Sequence, residues 1–159
     1  MKRKNIPVRD NWQKLVETDG LVWHTNNAVP YWNEGIFYSF TMEEITAIEK
    51  ASSDVYQLFV EAGDFILNSE PKWLDKFGIK PSFHEMIRDT WESEPPSLNY
   101  GRFDFGFGED GIPKLFEFNC DTPTSLLEAS VIQWNWKANV FPNSDQYNSI
   151  HESDRKSVV

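Results

Sequence analysis

At 159 residues, 40% of them hydrophobic and 25% charged, the chain has the composition of a globular protein with room for one domain and a real core, spanning 1–159. Its formal net charge of −10 argues against a general binder of nucleic acid or of anionic membrane, both of which need basic surfaces. The single Cys120 excludes an internal disulfide, and the chain has neither an 18-residue apolar run nor a signal-peptide pattern in M-K-R-K-N-I-P-V, so a reducing, cytoplasmic location is expected.

In chain order, the first forty residues read as an ordered but irregular arm, with aromatics scattered through W-Q-K-L, L-V-W-H-T and V-P-Y-W and with Pro7 and Pro30 breaking any long helix. His24 has no second His or Cys at ligand spacing, which favours packing or hydrogen bonding over metal binding. From Thr41 the pattern changes. Thr41 and Glu44 form a capping box, and Ile45, Ile48, Val55, Leu58, Phe59, Ala62, Phe65 and Ile66 recur at helical spacing, predicting a long amphipathic helix with a solvated acidic face. A connector through Pro71 and Gly78 leads to a second helix with a Ser82–Glu85 capping box. His84 is expected at its surface, and Pro95 and Pro96 end it.

The stretch from Tyr100 to Glu128 carries the most chemistry. Y-G-R-F-D-F, a glycine-containing turn and L-F-E-F-N predict a hairpin. Its period of two puts Arg102 and Asp104 on one face and Phe103, Phe105 and Phe107 on the other. On the second strand Leu115, Glu117 and Asn119 share a face opposite Phe116 and Phe118. Two carboxylates, an amide oxygen and a fixed cation suit a hard divalent cation with phosphate. The same residues also fit a plain cross-strand ion pair contributing about 0.2–1 kcal/mol. Asp121-Thr122-Pro123-Thr124-Ser125 follows as a turn, with Ser125 and Glu128 as a capping box opening an apolar helix whose N-terminal N–H groups favour an anion. That helix, with Leu126, Leu127, Val131, Ile132, Trp134 and Trp136, is apolar on more than one face and calls for burial on several sides. Residues 143–159 read as a polar tail.

Four motifs in order, His24-Thr25 with Pro30-Tyr31-Trp32, P-S-L-x-Y-x-R-x-D from Pro96, E-x-N-x-D-T-P-T-S-L from Glu117 and S-D-Q-Y-N-S-I-H-E from Ser144, resemble the glutathionylspermidine synthase family of ATP-grasp ligases. The resemblance implies ATP- and Mg²⁺-dependent activation of a glutathione-like carboxylate as an acyl phosphate and its joining to a polyamine-like amine. It implies that Arg102 is catalytic and contacts phosphate, that Asp104, Glu117 and Asn119 are magnesium ligands, with Arg102, Asp104 and Glu117 serving the nucleotide, and that Thr122, Thr124 and Ser125 bind substrate. Members of that family are much longer, and the part they carry after the N-S-I-H-E motif supplies the nucleotide lysines, lid and polyamine-binding acids.

The expected architecture is α+β: an antiparallel hairpin whose phenylalanine face packs a long amphipathic helix and a shorter one, then a buried aromatic helix, as the N-terminal portion of such a ligase. Its hairpin should belong to a sheet completed by other strands. A chain ending at Val159 is expected to be inactive alone and to bind small molecules rather than nucleic acid or membrane. A complementing C-terminal fragment is one expected partner. The alternatives are a non-catalytic metal- or partner-binding module, or a truncated remnant whose exposed Trp134 and Trp136 drive self-association.

Overall fold

The computed structural model describes residues 1–69, 72–93 and 100–147. The Pro71 connector, the Pro95-Pro96 stop, the P-S-L of the second motif and the polar tail beyond residue 147 lie outside them. The secondary structure is mixed α and β, as expected. The chain forms two compact units, one of residues 1–45 and 123–159, the other of 46–122.

In the first unit the N-terminal forty residues are more regular than their composition suggests. Strand β1 (Lys2–Asn5) pairs antiparallel with β4 (Ile36–Ser39), Lys2 opposite Ser39. Between them lie helix α1 (Trp12–Thr18) and a small hairpin, β2 (Thr25–Asn26) with β3 (Val29–Pro30). Asn27 and Ala28 both take positive φ, 47° and 65°, as the tight two-residue turn of a right-twisted hairpin requires. The period-based expectation of an irregular arm fails because strands this short carry no measurable alternation; the pairing of residues 31 to 37 apart makes them.

Helix α1 stops at Gly20, whose φ of 104° is open to glycine at no cost. The Gly20 N–H donates to the Glu17 carbonyl and the Leu21 N–H to that of Val16, so the last carbonyls are satisfied and Leu21 is brought onto Val16. These two residues and Ile132 are the buried centre of the unit, with Trp12, Trp32 and Leu127 packed around them. Glu34 is buried but paired: Arg9 donates to both of its oxygens at 2.9 and 2.5 Å, and Trp32 Nε1 donates at 3.3 Å. The terminal helix continues into α5 (Gln133–Val140), where Trp136 is buried against Phe37 and Phe141. Trp136 therefore offers no exposed surface for self-association, and Trp134 is partly covered, with Lys137 over its ring. Of the residues expected to need burial, Ile132 and Trp136 are buried while Leu126 stays exposed.

Helix α2 (Met42–Asn68) begins with the anticipated capping box: the Thr41 N–H donates to Glu44 at 2.9 Å and the Glu44 N–H to Thr41 Oγ1 at 3.2 Å. In the second unit Ile48 and Leu67 are its buried residues, while Leu58 and Phe65 of the predicted stripe stay exposed. Helix α3 (Lys72–Lys76) ends as α1 does, with Gly78 at φ 73° and the Ile79 N–H on the Leu74 carbonyl. Pro81–Phe83 forms a 3₁₀ turn leading into α4 (His84–Ser93), so Ser82 sits inside a turn instead of capping. His84 is buried rather than at the surface, because its Nε2 bonds the Ile79 carbonyl at 2.8 Å. α4 leans on α2, where Gly63 gives Trp91 room and the indole N–H donates to Asp64 at 2.7 Å. Strands β5 (Arg102–Phe107) and β6 (Pro113–Asn119) form the hairpin, and α2 covers it through Phe59 on Phe103 and Phe118. Among the described residues this sheet has only these two strands.

Ile132, at the centre of the first unit, is the largest fully buried side chain among the described residues. Ile132→Ala is expected to lower stability by about 2–5 kcal/mol, measured by urea titration of the chain.

Candidate functional site

The hairpin face is set by its register. Arg102 lies opposite Asn119, Asp104 opposite Glu117, and Phe103 opposite Phe118; beyond a bulge Phe105 lies opposite Leu115. Phe116 is the extra residue, and it shifts the second strand's alternation by one. Leu115 therefore pairs with Phe105 on the aromatic face, against the expectation that it would share a face with Glu117. Phe116 is 79% exposed, and its ring covers the point where a Cβ at Gly106 would emerge, 2.4 Å from it. By alternation that is the side of Arg102 and Asp104. The glycine inside the strand is the sequence signal that marks the bulge.

On the polar face Arg102 Nε donates to Asp104 Oδ1 at 2.8 Å and Nη2 to Oδ2 at 3.3 Å, a fork-to-fork pairing. The same Nη2 stands 3.5 Å from Glu117 Oε1. Hydrogen bonding to Asp104, ahead of the attraction of both carboxylates, raises the guanidinium pKa above its ordinary value. The cluster is open, with the Asp104 and Glu117 side chains 42% and 54% exposed, so solvent screens the ion pairing and it adds little to stability. A ligand can reach all three groups.

Asn119 is deployed differently. Its Oδ1 accepts the N–H groups of Asp121 and Thr122 at 3.3 and 3.2 Å and its Nδ2 reaches the Thr122 carbonyl at 3.5 Å, folding the start of the D-T-P-T-S turn. Arg102, Asp104 and Glu117 are thus gathered, while Asn119, beside Arg102 in register, serves the turn. Cys120 is exposed.

The division between the two units falls inside that turn, with Thr122 in the hairpin unit and Thr124 and Ser125 in the other. Ser125 takes φ 78° and its carbonyl accepts the Ala129 N–H. An N-cap is typically extended, and neither hydrogen bond of the expected Ser125–Glu128 capping box is present. Glu128 instead accepts the Tyr31 hydroxyl at 2.7 Å, a partner 97 residues away that no local pattern announces. Glu128–Ile132 is a π-turn, its widened start tied by Ser130 Oγ to the Leu126 carbonyl and by Gln146 Nε2 to that of Ala129. His24 packs and hydrogen-bonds, to Thr25 at 2.8 Å and Glu17 at 3.1 Å, with its ring against Trp12.

Mg²⁺ prefers octahedral oxygen coordination and keeps several waters, so one or two carboxylates plus substrate phosphate suffice. The facing pair Asp104 and Glu117 fits that demand. Among the described residues no three His, Cys, Asp or Glu side chains cluster as a self-sufficient metal site. No described helix is long and apolar enough to cross a membrane.

The sequence profile described as "Glutathionylspermidine synthase preATP-grasp" matches residues 3–156. A Haemophilus influenzae protein named provisionally as an acid–amine ligase is 37% identical over 125 residues, 77% of this chain and 30% of the relative. A glutathionylspermidine synthase of Crithidia fasciculata is 32% identical over 59% of the chain and 13% of its own length. A trypanothione synthetase of the same organism is 30% identical over 55% of the chain and 13% of its own. The chain thus spans less than a third of these relatives.

The turn closing the hairpin is held by Asp110, which accepts from Lys114 at 3.0 Å and from the Ile112 N–H at 3.1 Å; these bonds, the lysine's first, hold its carboxyl below the usual aspartate range. Asp110 therefore contributes stability above the ordinary aspartate pKa that is lost as pH falls through the depressed value. Carboxyl-carbon NMR titration should show that low pKa, and Lys114→Met should move it back up and flatten the acid limb of the stability profile.

Proposed function

Since the chain belongs to the glutathionylspermidine synthase preATP-grasp family, a family of acid–amine ligases, we propose that it forms part of a ligase that activates a carboxylate with ATP as an acyl phosphate and joins it to an amine. In that chemistry a carboxylate oxygen attacks the terminal phosphorus of ATP and the bond to ADP breaks. The amine then attacks the acyl carbon, phosphate leaves, and the amine nitrogen loses a proton. No nucleophilic side chain is needed; positioning and charge neutralisation suffice.

The observation that carries this proposal is the convergence of Arg102, Asp104 and Glu117 on one open face. Asp104 and Glu117 would hold Mg²⁺, which would supply charge neutralisation on the phosphate oxygens. Arg102 presents its planar donors to the transferring phosphoryl group and stabilises the charge that develops there. Asn119 shapes the turn after the strand and so sets where Thr122 begins it. Thr122, Thr124 and Ser125 bind the carboxylate substrate, with the helix N-terminus after Ser125 favouring an anion. A glutathione-like acid and a polyamine-like amine follow from the names of the Crithidia relatives. The work is cytoplasmic, and this chain binds without turning over unless the remaining portion found in its relatives is supplied, in the same polypeptide or as a complementing one.

Calorimetry of the 159-residue chain should show binding of Mg²⁺ with ATP, and adding glutathione and spermidine should release no ADP. Arg102→Ala should weaken nucleotide binding about 10- to 100-fold, the loss of a charged hydrogen bond. A wild-type chain that binds no nucleotide refutes the phosphate role, and ADP release refutes binding without turnover.

A further inference from the structure

Phe116 is the aromatic of the hairpin that the chemistry above leaves unused. Strict alternation from Phe118 would put its ring on the covered face, among the other phenylalanines. The bulge seats Leu115 there instead, opposite Phe105, and turns Phe116 out at 79% exposure. Phe103 stacks with Phe105 and with Phe118, and Phe116 joins none of them. Folding alone gains nothing from that choice, since a ring stabilises a fold when it leaves water.

The exposed ring is nevertheless held in a built seat. Its Cε2 and Cζ atoms lie 2.4 Å from the point where a Cβ at Gly106 would emerge, so only glycine lets it lie across the facing strand. Gly106 is not among the glycines at positive φ, so its missing side chain serves the ring and not the backbone.

The groups on this face stand in a fixed order along the strands. Arg102 and Asn119 come first, nearest the turn at Thr122, then the facing pair Asp104 and Glu117, then Phe116 over Gly106. Gly106 lies two residues beyond Asp104, about 7 Å along the strand. In phosphoryl transfer the attacking and leaving oxygens stand roughly in line, on opposite sides of the phosphorus. With the acid at the Thr122 end and the phosphoryl group at the acid pair, the departing nucleotide runs the other way, over Phe116. A phenyl ring offers a π-face and no hydrogen-bonding group, so it can hold a purine by stacking without reading its edge.

We infer that Phe116 is a stacking platform for the purine of the nucleotide, with the bare Gly106 setting the ring in place. This rests on the phosphate role proposed above for Arg102, Asp104 and Glu117, and deepens it by giving the nucleotide its direction along the hairpin.

Calorimetry and saturation-transfer NMR of the 159-residue chain test it, with ATP, GTP and inorganic tripolyphosphate as probes, each with Mg²⁺. Phe116→Ala should weaken ATP and GTP alike by about 5- to 100-fold, the worth of one base–aromatic stack, and leave tripolyphosphate unchanged. Saturation of the protein's ring protons should reach the purine protons in wild type and be lost in Phe116→Ala. Gly106→Ala, which displaces the ring without removing it, should also weaken ATP. Added to Phe116→Ala it should cost nothing more, because the methyl then has no ring to push. Equal losses for ATP and tripolyphosphate in Phe116→Ala mark a structural role and overturn the inference. ATP affinity indifferent to Phe116 overturns it too, and if tripolyphosphate still binds, the phosphate role of the cluster stands. If tripolyphosphate does not bind while adenosine alone takes up saturation that Phe116→Ala abolishes, the platform stands and the phosphate role falls. Binding of neither refutes both.

Discussion

The polar face of the hairpin depends on one guanidinium. Asp104 and Glu117 face each other across an antiparallel pair, where like charges repel, and Arg102 lies within 2.8 Å of one and 3.5 Å of the other. It makes their closeness tolerable. Because the cluster is open to solvent it adds little to stability.

What holds that face in place is the opposite one. A bare two-stranded hairpin is marginal in water, and here Phe59 from α2 seals the Phe103–Phe118 stack, whose rings lie 4.3 Å apart. The bulge at Phe116 lets both demands coexist. It ends the aromatic alternation just past the cluster, keeps Leu115 on the covered side and sends one ring to the polar side over Gly106. In the other unit the same economy recurs: Gly20 ends α1 in a way that delivers Leu21 to Val16 and Ile132, and this small core carries the helix that follows the D-T-P-T-S turn.

The relatives place these features in a family of acid–amine ligases, with a span under a third of the relatives' length. The parts found here suit that role. In the proposed reaction, phosphoryl transfer asks for fixed charge and oxygen donors, and the hairpin carries both on strands rather than on long loops.

Wherever the determinant was local, the sequence by itself decided the outcome. The Thr41–Glu44 box, the helical run of α2, the alternation of the hairpin strands and the pairing of Arg102 with Asp104 follow from spacings of two to four residues, and the ordered motifs sufficed for the family. Tertiary structure decided the rest: the β1–β4 ladder in a stretch that reads as irregular, the burial of His84, the bulge that moved Leu115 and Phe116, the commitment of Asn119 to its turn, and the capture of Glu128 by Tyr31. Each of these depends on a partner, or on a compromise between two faces, that periodicity cannot see. A capping box is the best use of Ser125 and Glu128 in an isolated helix, and it gives way once a hydroxyl 97 residues away offers the carboxylate a better-fixed donor.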